Sequence, residues 1–254
     1  MTLKLLDLLC ARSGIVCAVG AGGKKTTLYR LAAEHPGRLG LTATVSTAPF
    51  PSTLEAHTVV VPLAPLEAIE HAVVEASATH RVIAFAHPSA KRARLAGLTP
   101  DQVTKIHEKA GFQVTLVKAD GARSRWIKAP ADGEPVIPPG TTTVIPVISA
   151  HAIGAVLGEE VAHRVDRIEA VSGARRGEPL TAEHLARLLA SPSGALKGVG
   201  DAQVVPLINM VDDPEWEAAA REAAEAALHL TRRFDRVVLA SMRRPEPVVR
   251  VIGR

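Results

Sequence analysis

Cysteine is scarce in this sequence, and its scarcity excludes the protein classes that depend on it. The chain has 2 cysteines in 254 residues, Cys10 and Cys17, which form neither a C-x-x-C pair nor part of a Cys/His zinc pattern. Disulfide scaffolds and structural zinc proteins are therefore excluded. We expect a reduced, disulfide-free protein in the cytoplasm.

Long apolar runs and aromatic residues are also scarce. No apolar run approaches the roughly 18 residues of a membrane span, and the N-terminus lacks the basic start and apolar stretch of a signal peptide. Aromatic residues make up 3% of the chain and hydrophobic residues 47%, so Ala, Val and Leu must form the core. We expect an ordinary globular composition with no membrane partner.

Positive charge is in slight excess but is not concentrated. The formal net charge is +4, and Lys and Arg occur in short clusters along the chain. Nucleic-acid-binding proteins usually combine a dense basic patch with aromatic side chains that stack on bases. We therefore expect no nucleic-acid partner, and the sequence leaves the oligomeric state open.

The most informative stretch is residues 15–28, IVCAVGAGGKKTTL. A short apolar run leads into three glycines within four residues, followed by two lysines and two threonines. This order predicts a strand, a tight glycine turn with exposed N–H groups, and a helix whose positive end points to the same place as those N–H groups, as in a phosphate-binding loop. The predicted ligand-binding residues are Gly20, Gly22, Gly23, Lys24, Lys25, Thr26 and Thr27.

The two lysines favour an anionic ligand, because cations in the first turn of a helix are disfavoured by roughly 0.3–1 kcal/mol each. In one register Lys24 is the phosphate lysine and follows Gly23, but Lys25 then takes the place of the metal-binding Ser or Thr. In the other register Lys25 binds phosphate and Thr26 binds the metal, but Lys24 then replaces a glycine.

Two other interpretations of the glycines remain. A dinucleotide loop needs G-x-G-x-x-G and a carboxylate about 20 residues later. Here Lys25 stands at the third glycine position, and the next predicted strand ends in ATVS at residues 43–46, so this interpretation is disfavoured. A glycine turn that binds no ligand is the structural alternative.

Apolar strand-like runs alternate with helical patterns along the chain. Further strands are predicted at residues 39–45, 58–61, 81–86, 112–117, 142–148, 203–208, 236–239 and 247–252. Helices are predicted at residues 2–12, after the glycines to about Glu34, and at 65–78, 98–109 and 213–232. This alternation predicts an α/β, P-loop NTPase-like fold with a mainly parallel sheet between helices. We expect a single domain over residues 1–254, with a helical elaboration at about 150–200.

Ligands of such sheets bind beyond the carboxyl ends of the strands. Asp120 follows the predicted strand at 112–117, as does the Walker-B carboxylate that binds the metal in nucleotide hydrolases. An exposed turn before Gly121 is the structural alternative. Other polar residues in such positions, each open to a structural explanation, are Thr44, Ser46, Thr47, His87, Arg123, Arg125 and Lys128.

Asn209 and Asp212 follow a later predicted strand and resemble the base-reading N-K-x-D pattern of GTP-binding proteins, in which the Asp accepts two N–H groups of guanine. Met210 replaces the lysine that normally lies along the base. The alternative is a helix cap, since Asp212 and Asp213 precede Pro214 at a predicted helix start.

Taken together, these motifs resemble the YqeC-like family of P-loop proteins, accessory to selenium-dependent molybdenum hydroxylases. The resemblance spans nearly the whole chain. It rests on the glycine stretch, the Thr-rich end of the second strand, 119–122 (ADGA), 128–130 (KAP), 134–138 (EPVIP), His163-Arg164, Leu188-Leu189 with Pro192-x-Gly194-x-x-Lys197-Gly198, and 206–212. The chain departs from the family pattern at Lys25, Lys118 and Met210.

The resemblance implies that Lys24 is the phosphate lysine and that the protein assists maturation of the selenium/molybdenum cofactor. We expect a slow NTPase that binds ATP or GTP with Mg²⁺, with Lys24 and Asp120 catalytic, Thr26 and Asp120 on the metal, and Asn209 and Asp212 on the base. A molybdenum hydroxylase or its cofactor is the expected partner. A non-hydrolysing delivery protein for a phosphate-bearing cofactor and a small-molecule kinase are the alternatives.

Overall fold

The computed structural model describes residues 4–65 and 67–254 and confirms a mainly parallel α/β fold. The helices in this part of the chain are α1 Leu5–Leu8, α2 Lys24–Glu34, α3 Ala68–Ser77, α4 Pro100–Lys109, α5 Val165–Ser172, α6 Ala182–Ala190 and α7 Pro214–Leu230. The strands are β1 Gly14–Gly20, β2 Leu39–Ala43, β3 His57–Val60, β4 Val82–Pro88, β5 Leu95–Ala96, β6 Val114–Lys118, β7 Ile127–Lys128, β8 Thr141–Ser149, β9 Ala162–His163, β10 Gln203–Val204, β11 Leu207–Asn209, β12 Arg236–Ala240 and β13 Val248–Gly253.

Contacts within the chain divide it into two compact units. The first comprises Met1–Ala18, Leu28–Gly121 and Val136–Thr143, and the second comprises Val19–Thr27, Ala122–Pro135 and Val144–Arg254. The glycine stretch and the predicted base-reading residues belong to the second unit, and Asp120 belongs to the first. The expectation of one domain for the whole chain stays a prediction.

The first unit contains parallel strands in the order β1, β6, β2, β4, β3, with the short β5 antiparallel to β4. β1 and β6 pair in a register that places Ala18 opposite Lys118, so both strands end at the same edge. Every residue of β2 is buried. Burial on both faces explains why these strands are continuous apolar runs in the sequence.

In the second unit, β8, β11 and β12 pair in parallel, and β13 lies antiparallel to β12. Leu207 of β11 stands opposite Val147 on one side and Val238 on the other. A separate parallel pair, β7 and β9, was not predicted, because each of these strands is only two residues long.

Two helix starts match their sequence signals. The Thr99 hydroxyl accepts the N–H of Gln102, whose side chain accepts the N–H of Thr99, and Pro100 occupies the first turn of α4. Asp213 caps α7 by accepting the N–H of Trp216. The caps place the first residues of α4 and α7 at Pro100 and Pro214, whereas the predicted helices begin at residues 98 and 213.

The predicted strand at 203–208 is divided into β10 and β11. The division falls at Pro206, which has no N–H for a strand ladder, and the neighbouring Val205 donates its N–H to Val144. The helical elaboration predicted at about 150–200 contains β9 and turns besides α5 and α6.

The described part of the helix predicted at 2–12 is α1, which is shorter than expected. Residues 2 and 3 of that prediction, and Leu66 of the helix predicted at 65–78, lie outside the described residues. Across residues 4–65 and 67–254, no helix has both the length and the apolar character needed to cross a membrane.

Candidate functional site

The glycine loop, residues 20–23, joins β1 to α2 through backbone conformations that require glycine. Its three glycines have φ angles between +85° and +121°. A Cβ on Gly22 would lie 2.5 Å from the backbone nitrogen of Ser149, and one on Gly23 would lie 2.2 Å from Nδ2 of Asn209. A side chain at Gly22 or Gly23 would therefore clash as well as strain the backbone.

Two N–H groups of the loop are bonded within the protein. Ala21 donates its N–H to the carbonyl oxygen of Val147 over 2.8 Å, and Gly22 donates to that of Arg125 over 3.1 Å. These bonds attach the loop to the end of β8 and to the segment that precedes β7. The first half of the loop is thus held by the fold itself.

Three of the N–H groups that follow in the chain differ from those of Ala21 and Gly22. Within the described part of the chain, the backbone N–H groups of Gly23, Lys25 and Thr26 have no hydrogen-bond acceptor. The first N–H groups of a helix have no acceptor inside the helix, and together with the helix dipole they form a site for an anion. The loop therefore presents donors at the start of α2, as a phosphate would require.

Asn209, the last residue of β11, fixes the orientation of the loop. Its Nδ2 donates to the carbonyl oxygen of Gly22 over 2.8 Å, and its Oδ1 accepts the N–H of Met242 over 3.1 Å. The carbonyl and the N–H of one trans peptide point in opposite directions. Holding the Gly22 carbonyl therefore turns the N–H of Gly23 away from Asn209.

The two lysines occupy different environments. Lys24 has only 6% of its surface exposed, and its ammonium group donates to the carbonyl oxygen of Gly20, so it folds back over the loop. Lys25 is exposed. The structure thus places Lys24 inside the loop and Lys25 at its surface.

The two threonines also differ. Thr27 is fully buried, and its hydroxyl donates to the carbonyl oxygen of Gly23 over 3.2 Å, which stabilises the loop from within. Thr26 is partly exposed and lines a cavity. Of the two hydroxyls, that of Thr26 is therefore the one accessible from the cavity.

The cavity has a volume of about 200 Å³ and lies within the second unit. Its lining residues are Thr26, His151, Asn209, Met210, Asp212, Ser241, Met242 and Arg243. Sequence reasoning missed His151, Ser241, Met242 and Arg243. A signal for Ser241 existed, because it follows the carboxyl end of β12 as Asp120 follows that of β6.

The adjacent carboxylates Asp212 and Asp213 have separate roles. Asp213 caps α7, whereas Asp212 lines the cavity. One oxygen of Asp212 accepts the hydroxyl of Ser241 over 2.6 Å, and the other lies 3.2 Å from Nε2 of His151. The cap and the candidate ligand-binding carboxylate are thus different residues.

Asp120 lies in the first unit, directly beyond the strand that pairs with β1. It is 1% exposed. The N–H of the preceding Ala119 donates to the carbonyl oxygen of Ala18 over 3.1 Å. Thr26 belongs to the second unit, and the prediction that it shares a magnesium ion with Asp120 stays a prediction.

Other candidates from the sequence take part in structural contacts in the first unit. The Thr44 hydroxyl donates to the carbonyl oxygen of Val136 over 2.6 Å. His87 is buried, and its Nδ1 lies 2.8 Å from the carbonyl oxygen of Val61. The contact accounts for the Thr44 hydroxyl, whereas Nε2 of His87 is buried without a hydrogen-bond partner among the described residues.

Lys128 belongs to an ion cluster instead of an open surface. Glu134 accepts the ammonium group of Lys128 over 2.7 Å and the guanidinium of Arg164 over 2.8 Å. Burial opposes ionisation of Glu134, but the bonds from these two cations outweigh it and lower the pKa of Glu134 to about 2. Lys197 donates to the carbonyl oxygen of Ala131 in the same segment. Several motif residues of the family resemblance therefore serve to fasten residues 129–135.

Comparison with known proteins gives two matches. The sequence model of a family described as "YqeC protein" matches residues 16–166, a range that contains the glycine loop, Asp120 and the Glu134 cluster. A curated protein of Escherichia coli (strain K12), "Uncharacterized protein YqeC", is 30% identical over 190 residues, which cover 74% of this chain and 72% of the relative.

Proposed function

The chain belongs to the YqeC family, and we propose that its glycine loop binds the phosphates of ATP or GTP. The observation that carries the proposal is the set of backbone N–H groups at Gly23, Lys25 and Thr26, which have no acceptor among the described residues. Donors of this kind at a helix start favour a phosphate group. Asn209 supports the same role, because it keeps the Gly22 carbonyl turned aside.

Lys24 supplies the positive charge. It lies over the loop, and its ammonium group already bonds a loop carbonyl, so a bound phosphate would meet a cation held in place. This geometry supports Lys24 as the phosphate lysine. Lys25, one residue further, points its charge towards solvent.

Hydrolysis would require a ligand for Mg²⁺ beside the phosphates. Lys25 stands where a phosphate loop usually carries the Ser or Thr that holds Mg²⁺. A slow NTPase that binds Mg²⁺ is one outcome. Because position 25 carries no hydroxyl, a protein that binds a phosphate-bearing cofactor without hydrolysis is the second candidate. Nucleoside diphosphate release at steady state would exclude this second candidate.

The cellular role that we propose is maturation of the selenium/molybdenum cofactor of a molybdenum hydroxylase. Its support is the family resemblance of the sequence motifs. The test is to purify a molybdenum hydroxylase from cells with and without this protein and to measure its selenium and molybdenum content. We expect a lower content without the protein, and equal contents would contradict this role.

The binding proposal is tested by calorimetry on the full chain with ATP and with GTP, each in the presence of Mg²⁺ and again with EDTA. We expect saturable binding of at least one triphosphate near one molecule per chain. If neither ATP nor GTP binds with Mg²⁺ present, the proposed function is contradicted. A loss of affinity in EDTA would support a metal in the complex.

A further inference from the structure

The cavity beside the glycine loop is small and is lined by both apolar and polar side chains. Its volume of about 200 Å³ is below the roughly 300 Å³ at which sites for drug-sized ligands begin. It would therefore suit one base, with the sugar and phosphates outside it. Thr26 lines the cavity and also lies in the first turn of α2, so the cavity adjoins the proposed phosphate site.

Two methionines give the cavity its apolar surfaces. Met210 and Met242 both line it, and the chain has 3 methionines in all. Methionine is unbranched and polarizable, and its sulfur makes favourable contacts with aromatic rings. Met210 adopts a φ of 62°, a left-handed conformation that is uncommon for a residue with a side chain. Such strain is typical of a residue held in place at a ligand site.

Asp212 is the carboxylate among the residues that line the cavity. A carboxylate only accepts hydrogen bonds, and each of its oxygens has two lone pairs. Ser241 and His151 each engage one oxygen of Asp212, which orients the group and leaves each oxygen able to accept a further bond. The side chain of Asp212 is 48% exposed, so a ligand can reach it.

From this arrangement we infer that the protein selects a guanine base over an adenine base, with Asp212 as the residue that decides. Guanine presents two N–H donors side by side, on N1 and N2, which match the two oxygens of one carboxylate. Adenine presents a ring nitrogen acceptor beside its amino group, and that acceptor would face the carboxylate. The inference rests on the proposed function, since the phosphates of the same ligand would occupy the glycine loop.

The test compares GDP, ADP and inorganic tripolyphosphate by calorimetry with Mg²⁺. A well-placed bidentate contact discriminates bases by roughly 5-fold to 150-fold, so GDP is expected to bind at least about 5-fold more tightly than ADP. Asp212→Asn replaces one acceptor oxygen by an amide NH₂ group. This donor would face the N2 amino group of guanine, which is also a donor. The substitution should abolish the preference for GDP and improve binding of XDP, whose base has an oxygen at that position.

The matched control is Asp213→Asn, which alters the neighbouring carboxylate but keeps a good helix cap. This variant should retain the preference for GDP, and both variants should bind tripolyphosphate as the wild type does. Equal binding of GDP and ADP, or an unchanged preference in Asp212→Asn, would overturn the inference while leaving the proposed function in place. Failure of all three probes to bind would overturn both.

Discussion

The side-chain amide of Asn209 donates to the carbonyl oxygen of Gly22 over 2.8 Å and thereby joins the end of β11 to the glycine loop. Asn209 is 3% exposed, and its amide oxygen, Oδ1, accepts the N–H of Met242. The amide is thus shared between the glycine loop and the turn that follows β12. These two hydrogen bonds explain why an asparagine stands at the end of β11, independently of any ligand.

Replacing Asn209 tests whether this bond positions the loop. Asn209→Ala removes both hydrogen bonds and leaves the Met242 N–H buried, which should lower the free energy of unfolding by about 1–3 kcal/mol. It should also weaken tripolyphosphate binding, because the Gly23 N–H is no longer held in one direction. Urea unfolding and calorimetry measure the two effects. Unchanged tripolyphosphate affinity in the folded variant would contradict the positioning role.

Position 23 of the glycine loop should not tolerate a side chain. Gly23→Ala places a Cβ against Asn209 at a φ of +121°, and we expect a loss of about 1–3 kcal/mol in the free energy of unfolding together with weakened nucleotide binding. Gly158→Ala is the matched control, since its Cβ would meet no atom within 4 Å. Similar stability of the two variants in urea titrations would be inconsistent with the described loop geometry.

The Glu134 cluster should make stability depend on pH in the acid range. The folded-state pKa of Glu134 is lowered from 4.5 to about 2 by Lys128 and Arg164, against the opposing effect of burial. Its contribution is therefore fully present above pH 4.5 and is lost as the pH falls towards 2. The corresponding difference is on the order of 3 kcal/mol.

The variant Glu134→Gln should thus show a smaller decrease in unfolding free energy between pH 5 and pH 2 than the wild type, as measured by urea titrations at each pH. Asp132→Asn is the control, because Asp132 pairs with Arg167 but its side chain is 91% exposed. Its pH dependence should resemble that of the wild type. If the Glu134 and Asp132 variants behave alike, the cluster is not a stabilising feature.

Lys25 should limit any hydrolysis. Lys25→Thr restores the hydroxyl that a phosphate loop normally offers to Mg²⁺, so we expect Mg²⁺-dependent turnover to be preserved or raised. Asp120→Asn should lower the same turnover, since the sequence assigns Asp120 to the metal. Phosphate release is the measurement. Loss of turnover in Lys25→Thr would show that the assumed register of the loop is wrong.

Most of the fold could be predicted from local patterns. The continuous apolar runs identified the buried parallel strands, and Thr99 with Pro100 located the start of α4, because caps and burial on both faces leave direct traces in the sequence. The β7–β9 pair left no such trace, since two-residue strands have no period. The division between β10 and β11 could have been predicted, because Pro206 lacks the N–H that a strand ladder needs, but the predicted strand at 203–208 ran through it.

The candidate site was predicted only in part. The glycines and Lys24 are adjacent in sequence, so their joint role was readable from one stretch. Ser241 and His151 meet Asp212 only through the fold, and no spacing rule connects them. The sequence also left open which of two adjacent aspartates caps α7, and only the hydrogen bond to Trp216 separates them.

The account depends on phosphate being held by the glycine loop, and the most direct test is calorimetry of GTP and of tripolyphosphate with Lys24→Ala and Lys25→Ala. Each variant is first checked for a wild-type unfolding transition. A hydrogen bond to a charged group contributes about 1.5–3 kcal/mol, so Lys24→Ala should bind both ligands at least about 10-fold more weakly. Lys25→Ala, altered only at an exposed side chain, should remain within about 3-fold of the wild type. Wild-type affinity for both ligands in folded Lys24→Ala would contradict the account.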